Sequence, residues 1–155
     1  MAWSDTGAIW RPPMRHLVAL MPLLIAVTAS AQGLDGNWNG RLRCDALNVP
    51  GQRPLDTAIR ITIANGRAAF RRVVLNPDGS PTGIAEVGDG TVAADGSITL
   101  SGTANGPRYN YVSHYAGRLS AERGTGQLSG AQDWAAGQAV GGQRRPCTIG
   151  LRRTP

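Results

Sequence analysis

Cys44 and Cys147 are the only cysteines in the chain, and each lies in a stretch whose side chains alternate in character. In GNWNGRLRC, residues 36–44, Trp38, Leu42 and Cys44 share one parity. In CTIGLRR, residues 147–153, Cys147, Ile149 and Leu151 share a face, and Thr148, Gly150 and Arg152 take the other. An extended strand sends alternate side chains to opposite faces, so each cysteine points the same way as the apolar residues around it. If the two strands are antiparallel neighbours with the cysteines opposite, the Cα atoms lie about 5.5 Å apart, which suits a disulfide. Paired positions then sum to 191: Leu42 with Ile149, Gly40 with Leu151, Trp38 with Arg153. The first strand is laced to the last, and the sheet has no free edge. Closing a loop of about 100 residues in this way stabilises by roughly 4 to 5 kcal/mol on the chain-entropy argument.

Between the cysteines there is almost no helical periodicity. Short alternating runs are separated by Gly, Asn and Asp, the pattern of an all-β chain. In AIRITIANGRAAFRRVVL, Asn65-Gly66 fits a two-residue type I′ turn. Positions across that hairpin sum to 131, placing Ile61 opposite Phe70, Ile63 opposite Ala68 and Arg60 opposite Arg71. Asp78-Gly79, Asp89-Gly90, Asp95-Gly96 and Asn105-Gly106 read as further turns. TVAADGSITLSG is a second hairpin with Ile98 and Leu100 inward, and YNYVSHYAGRL, residues 109–119, is the longest strand candidate. GTGQLSGAQDW follows it, and segments 45–56 and 135–146 read as loops. The expected fold is an antiparallel up-and-down β-barrel of about eight strands closed by the terminal disulfide, with a β-sandwich as the alternative.

The first 31 residues differ in kind from the rest. Arg11, Arg15 and His16 precede the apolar run LVALMPLLIAVT, and Ala29-Ser30-Ala31 supplies the small residues of a cleavage site. That is the pattern of a secretory signal peptide cut after Ala31, with Met14 as an alternative start. The uncharged stretch from Leu17 to Leu34 is near the minimum for a spanning helix, but Pro22 and its small-residue end favour cleavage. The expected division is an N-terminal extension and signal over 1–31 and one domain over 32–155, exported to the periplasm or secreted. Oxidising compartments are also where a disulfide persists. Removing residues 1–31 leaves 14 arginines against 9 carboxylates, net +5, with no lysine anywhere, so lysine Schiff-base chemistry is excluded.

Gly36-Asn37-Trp38 resembles the Gly-x-Trp at the start of the first strand in the calycin superfamily, which includes lipocalins and avidin-like proteins. The likeness covers the two terminal strands and extends in a general way to small exported bacterial β proteins. It implies that Trp38 plugs one end of the barrel and that Arg153 stacks on it, a cation-π contact of roughly 0.5 to 2 kcal/mol. The cysteine register pairs the same two residues.

Chemistry is sparse in the exported part. His114 is its only histidine and the cysteines are assigned to each other, so neither a His or Cys metal site nor a cofactor is expected. Ser113, His114 and Asp133 supply the residue types of a hydrolase triad without nucleophile-elbow spacing, so no catalytic residue is assigned. Tyr109, Tyr111 and Tyr115 share a parity opposite to His114 and either line a ligand cavity, with Trp134 at its mouth, or fill the core. Arg41, Arg43, Arg60, Arg71 and Arg152 fall on the outer face as a basic patch. Arg60 opposite Arg71 costs a few tenths to about 1 kcal/mol unless Glu86 or an anionic partner neutralises it. Nucleic acid is excluded as a partner, since the patch lacks interleaved aromatics. The functional expectation is an exported non-catalytic binding or envelope accessory protein, its partner a small molecule, an anionic envelope polymer or a protein. The alternatives are a periplasmic protease inhibitor and a weak hydrolase using His114.

Overall fold

A computed structural model describes residues 33–76, 78–107, 110–135 and 142–155, so the export signal read over residues 1–31 lies outside the described residues. Eight strands follow one another as β1 Gly36–Cys44, β2 Leu55–Ala64, β3 Arg67–Leu75, β4 Pro81–Val92, β5 Ser97–Asn105, β6 Asn110–Ser120, β7 Thr125–Trp134 and β8 Arg144–Arg153. Each pairs antiparallel with the next, and β8 returns to β1 to close the barrel. Among the described residues no helix is long and apolar enough to cross a membrane.

The closing seam follows the cysteine register. Trp38 opposes Arg153, Gly40 Leu151, Leu42 Ile149 and Cys44 Cys147. The disulfide is formed, with the Cα atoms 4.0 Å apart rather than the expected 5.5 Å. Asp45 N–H donates to Pro146 C=O and Thr154 N–H to Asn37 C=O, which makes the odd-numbered positions of β1 the hydrogen-bonded ones toward β8. Cys44 is therefore a non-hydrogen-bonded pair with Cys147, the closer of the two antiparallel spacings.

Short turns at residues 65–66, 93–96 and 121–124 gather at one end of the barrel with the start of β1 and the end of β8. The longer connections, including 45–54 and 76–80, gather at the other, hereafter the loop end. The turn-end interior is apolar: Trp38, Leu42, Ile61, Ile63, Phe70, Ile98, Leu100, Ile149 and Leu151 are all buried there. Full burial of such side chains contributes about 1.5 to 3 kcal/mol each. Trp38 is wholly buried and donates its indole N–H to Leu34 C=O at 2.9 Å. Arg153, paired with it in register, is exposed, and its guanidinium donates to the carbonyls of Gly33 at 2.7 Å and Asp35 at 2.5 Å. It thus fastens the segment before β1 across the end of the barrel through carbonyl hydrogen bonds, where ring stacking was expected.

Four readings of the strand pattern are corrected. The longest strand is β4, at 12 residues, and Asp89-Gly90 lies within it rather than in a turn. Gly88 and Gly102 face each other across β4 and β5, and a Cβ at either would fall within 3 Å of the Phe70 ring, so these glycines make room for a large side chain. Residues 144–146, read as loop, begin β8, and residues 55–56 begin β2.

Candidate functional site at the loop end

The apolar core stops part-way up the barrel. Above it, β3, β4, β6, β7 and β8 contribute Arg72, Glu86, Tyr111, Ser113, Tyr115, Gln132 and Arg145, each buried. A second apolar cluster, including Leu47, Val74, Ala104, Tyr111 and Trp134, lies beyond this polar layer. The parity that puts Phe70 inside puts Arg72 inside, and the parity of Cys147 and Ile149 does the same for Arg145.

Glu86 is the hub and is fully buried. Arg72 Nη2 donates to its Oε2 at 2.5 Å and to the Tyr111 hydroxyl at 2.9 Å. Tyr111 OH donates to Glu86 Oε2 at 3.0 Å, and Ser113 Oγ and Tyr115 OH to Oε1 at 2.5 and 3.3 Å. Gln132 Nε2 donates to Tyr115 OH at 3.3 Å. Burial first, and the Glu86 charge second, push both tyrosine hydroxyls to higher pKa, so they stay protonated donors. A buried carboxylate is tolerable only when paired and surrounded by donors in this way.

Arg145 is held differently. It is 7% exposed, its Nε donates to Asp45 C=O at 2.6 Å, and no carboxylate among the described residues forms an ion pair with it. Burial, followed by the charge of nearby Arg72, pushes its pKa down. Arg72 and Arg145 therefore bring two guanidiniums into the layer against the one carboxylate of Glu86. Arg72 Nε is also buried without a hydrogen-bond partner among the described residues.

These groups approach the outside through a break in the wall. The β2–β3 ladder holds four pairs, from Ala64 with Arg67 to Ile61 with Phe70. The other seven ladders hold between seven and ten. Both strands run on beyond the last pair, β2 back to Leu55 and β3 on to Leu75. Pairing stops one step short of Arg60 opposite Arg71, where the like charges would have met; the expected clash is avoided by leaving that pair unmade. Glu86 does not neutralise these two, since it faces inward to Arg72. Two recesses lie along the break. One of about 150 Å³ is lined by Gln52, Arg53, Leu55, Leu75, Asn76 and Arg145 among others. The second, about 430 Å³, includes Arg60, Arg71, Arg72 and Val73 and shares Leu75 with the first.

The remaining expected residues are dispersed. Tyr111 and Tyr115 are core residues of the polar layer, Tyr111 stacked on Trp134 with ring centroids 4.7 Å apart, and Tyr109 lies outside the described residues. Both of these tyrosines are buried, with their hydroxyls engaged in the Glu86 network. On the outer wall Arg41 and Arg43 share Asp56, at 2.8 and 3.4 Å, and Arg60 Nε donates to Asn39 at 3.0 Å. Arg152 opposes Asn39 and is exposed. The basic patch is partly neutralised at one end and open at the β2–β3 break.

Ser113, His114 and Asp133 are not brought together: Ser113 is inside against Glu86 and His114 is outside, hydrogen-bonded through Nδ1 to Ser101 at 3.0 Å. In register order the outer row is Asp89, Ser101, His114, which places the hydroxyl rather than the imidazole in the middle, the wrong order for a relay. Among the described residues no three His, Cys, Asp or Glu side chains are grouped to hold a metal ion. Fold and site together define a closed eight-stranded antiparallel barrel with a charged layer beneath one end. No family model matches the chain, and no match is found among curated proteins.

Proposed function

We propose that this protein is an exported, non-catalytic barrel of the calycin type that binds a small anionic group at its loop end. The observation that carries the reading is Arg145, a buried guanidinium with no carboxylate partner among the described residues that lines a recess of about 150 Å³. Cavities of roughly that volume hold a molecule the size of benzene, so a carboxylate or phosphate group is a suitable occupant. Guanidinium forks favour such planar or trigonal oxyanions, and burial of the Arg145 side chain strengthens the contact. Arg53, Gln52 and Asn76 supply further polar lining, and the one carboxylate that borders the recess, Asp56, is engaged by Arg41 and Arg43. Export is supported by the signal-like N terminus and by the disulfide, which belongs to an oxidising compartment such as the periplasm or the exterior.

Calorimetric titration with inorganic phosphate, succinate and acetate tests this. At least one should bind to the wild-type protein, and Arg145→Met should weaken it tenfold or more. Arg123→Gln, on the turn at the opposite end, should leave it unchanged. Equal binding by the Arg145 variant, or no binding of any of the three, overturns the reading.

A further inference from the structure

We infer that the open stretch of the β2–β3 seam takes up an extended acidic peptide as an added strand against β3. The inference relies on the anion reading only for its acidic side chain; the main-chain pairing rests on the strand register.

The hydrogen-bonding sense of each strand follows from the closing seam. Odd positions of β1 bond toward β8, so even positions bond toward β2, and through the register Gly36 with Ile63 the odd positions of β2 bond toward β1. Even positions of β2 and odd positions of β3 therefore point toward each other, as in the pair Ala64 with Arg67. Beyond Ile61 and Phe70 the same alternation directs the amides and carbonyls of Ala58 and Arg60, and of Arg71 and Val73, into the seam without a ladder partner. The nearest substitute is a 3.4 Å contact from Arg72 Nη1 to Val73 C=O. The β4–β5 ladder ends at Glu86 with Ala104, so residues 81–85 of β4 also run beyond β5. Residues 73–75 of β3 and 81–85 of β4 thus form a two-stranded flap that pairs only with itself.

Such an edge in an otherwise closed barrel is a template for strand addition, in which main-chain bonds supply affinity and side-chain contacts supply selectivity. The selectivity here is electrostatic. Arg53, Arg60 and Arg71 border the recesses and make no ion pair among the described residues, while Asp56 on the same rim is engaged by Arg41 and Arg43. Val73, half-exposed on the outer face, offers an apolar contact to a β-branched neighbour. An extended segment alternating acidic and β-branched residues fits both features. One acidic side chain at its loop-end terminus would reach the Arg145 recess through the shared Leu75 boundary.

The probe is a capped hexapeptide alternating Thr and Glu, with a Gln-for-Glu counterpart and an N-methylated version that cannot donate along one edge. Hydrogen exchange of the full exported chain, residues 32–155, reads the outcome at single amides. With the acidic peptide, the Arg71 and Val73 amides should gain at least tenfold protection. The Gln peptide should bind at least tenfold more weakly, and the N-methylated peptide should give no protection. Val73→Pro removes a seam-facing donor while leaving the β4-facing positions intact, and should abolish protection at Arg71 without changing phosphate or succinate binding. Peptide binding that is indifferent to N-methylation, or that protects neither amide, overturns strand addition. If the small anions still bind through Arg145 in that case, the previous reading survives; if they too fail, both readings fall. Protection of Arg71 and Val73 that rises with protein concentration alone, together with sedimentation as a dimer, overturns the peptide partner in favour of a second copy of this chain.

Discussion

The barrel has two seams of opposite construction. The closing seam joins β1 to β8, strands at opposite ends of the sequence, and carries seven register pairs plus the Cys44–Cys147 bond. The β2–β3 seam joins strands separated by a two-residue turn, yet pairing ends after four positions. Proximity in sequence makes a hairpin inexpensive to form, and nothing covalent is needed to hold it. The distant pair bears the larger loop-closure entropy, and there the crosslink contributes most. Stability is thus concentrated where the chain must close, and an opening is left where closure comes easily.

The largest test of this contrast is at the closing seam. Cys44→Ser with Cys147→Ser should lower unfolding free energy in urea by about 4 to 5 kcal/mol. A loss below about 1 kcal/mol would mean that the strand register alone closes the barrel.

Next in size is the charged layer. Glu86→Gln leaves Arg72 buried without a counter-charge and should cost about 3 to 5 kcal/mol. Arg72→Leu combined with Glu86→Leu should cost far less, because both desolvation penalties disappear together. Equal losses in the two variants would show that the layer acts by packing rather than by charge.

A third prediction contrasts amides on one strand. Ala69, paired with Thr62, should exchange slowly, whereas Arg71 and Val73, two and four positions on, should exchange roughly a hundredfold faster or more in the free protein. Uniform protection along β3 would mean that the seam closes in solution.

The smallest effect is on the outer wall. Hydrogen bonding from Arg41, ahead of the opposing effect of desolvation, holds Asp56 below the ordinary carboxylate range. Its stabilising contribution is therefore present above that range and lost as pH falls through the depressed value. Arg41→Gln should raise the Asp56 titration midpoint observed by carboxyl NMR, with little change in stability, because the pair is exposed.

The closing seam was legible because parity and two cysteines fixed every pair along it, Trp38 to Arg153 included. The hairpin register was legible from Asn65-Gly66, but its extent was not, since a turn sets which residues face each other and not how far pairing continues. The buried layer was hidden for a different reason. Arg71 and Arg72 are adjacent, so any strand through them sends one inside, and facing Arg71 outward toward Arg60 already committed Arg72 to the interior. Charged residues are so rarely buried that the alternation alone points to the outward member. Glu86 was obscured because Asp89-Gly90 interrupts the alternation of β4. Arg145 sits beside Pro146 in a stretch read as loop, although its parity with Cys147 was the signal that would have found it.

The absence of lysine, a compositional habit at the surface, has a different meaning at position 145. A buried ammonium can shed its proton and enter the interior neutral, whereas a guanidinium remains charged across the physiological pH range. Arg145 therefore presents a permanent cation, and an anion of the kind proposed would meet a site that acid and base do not switch off from the protein's side.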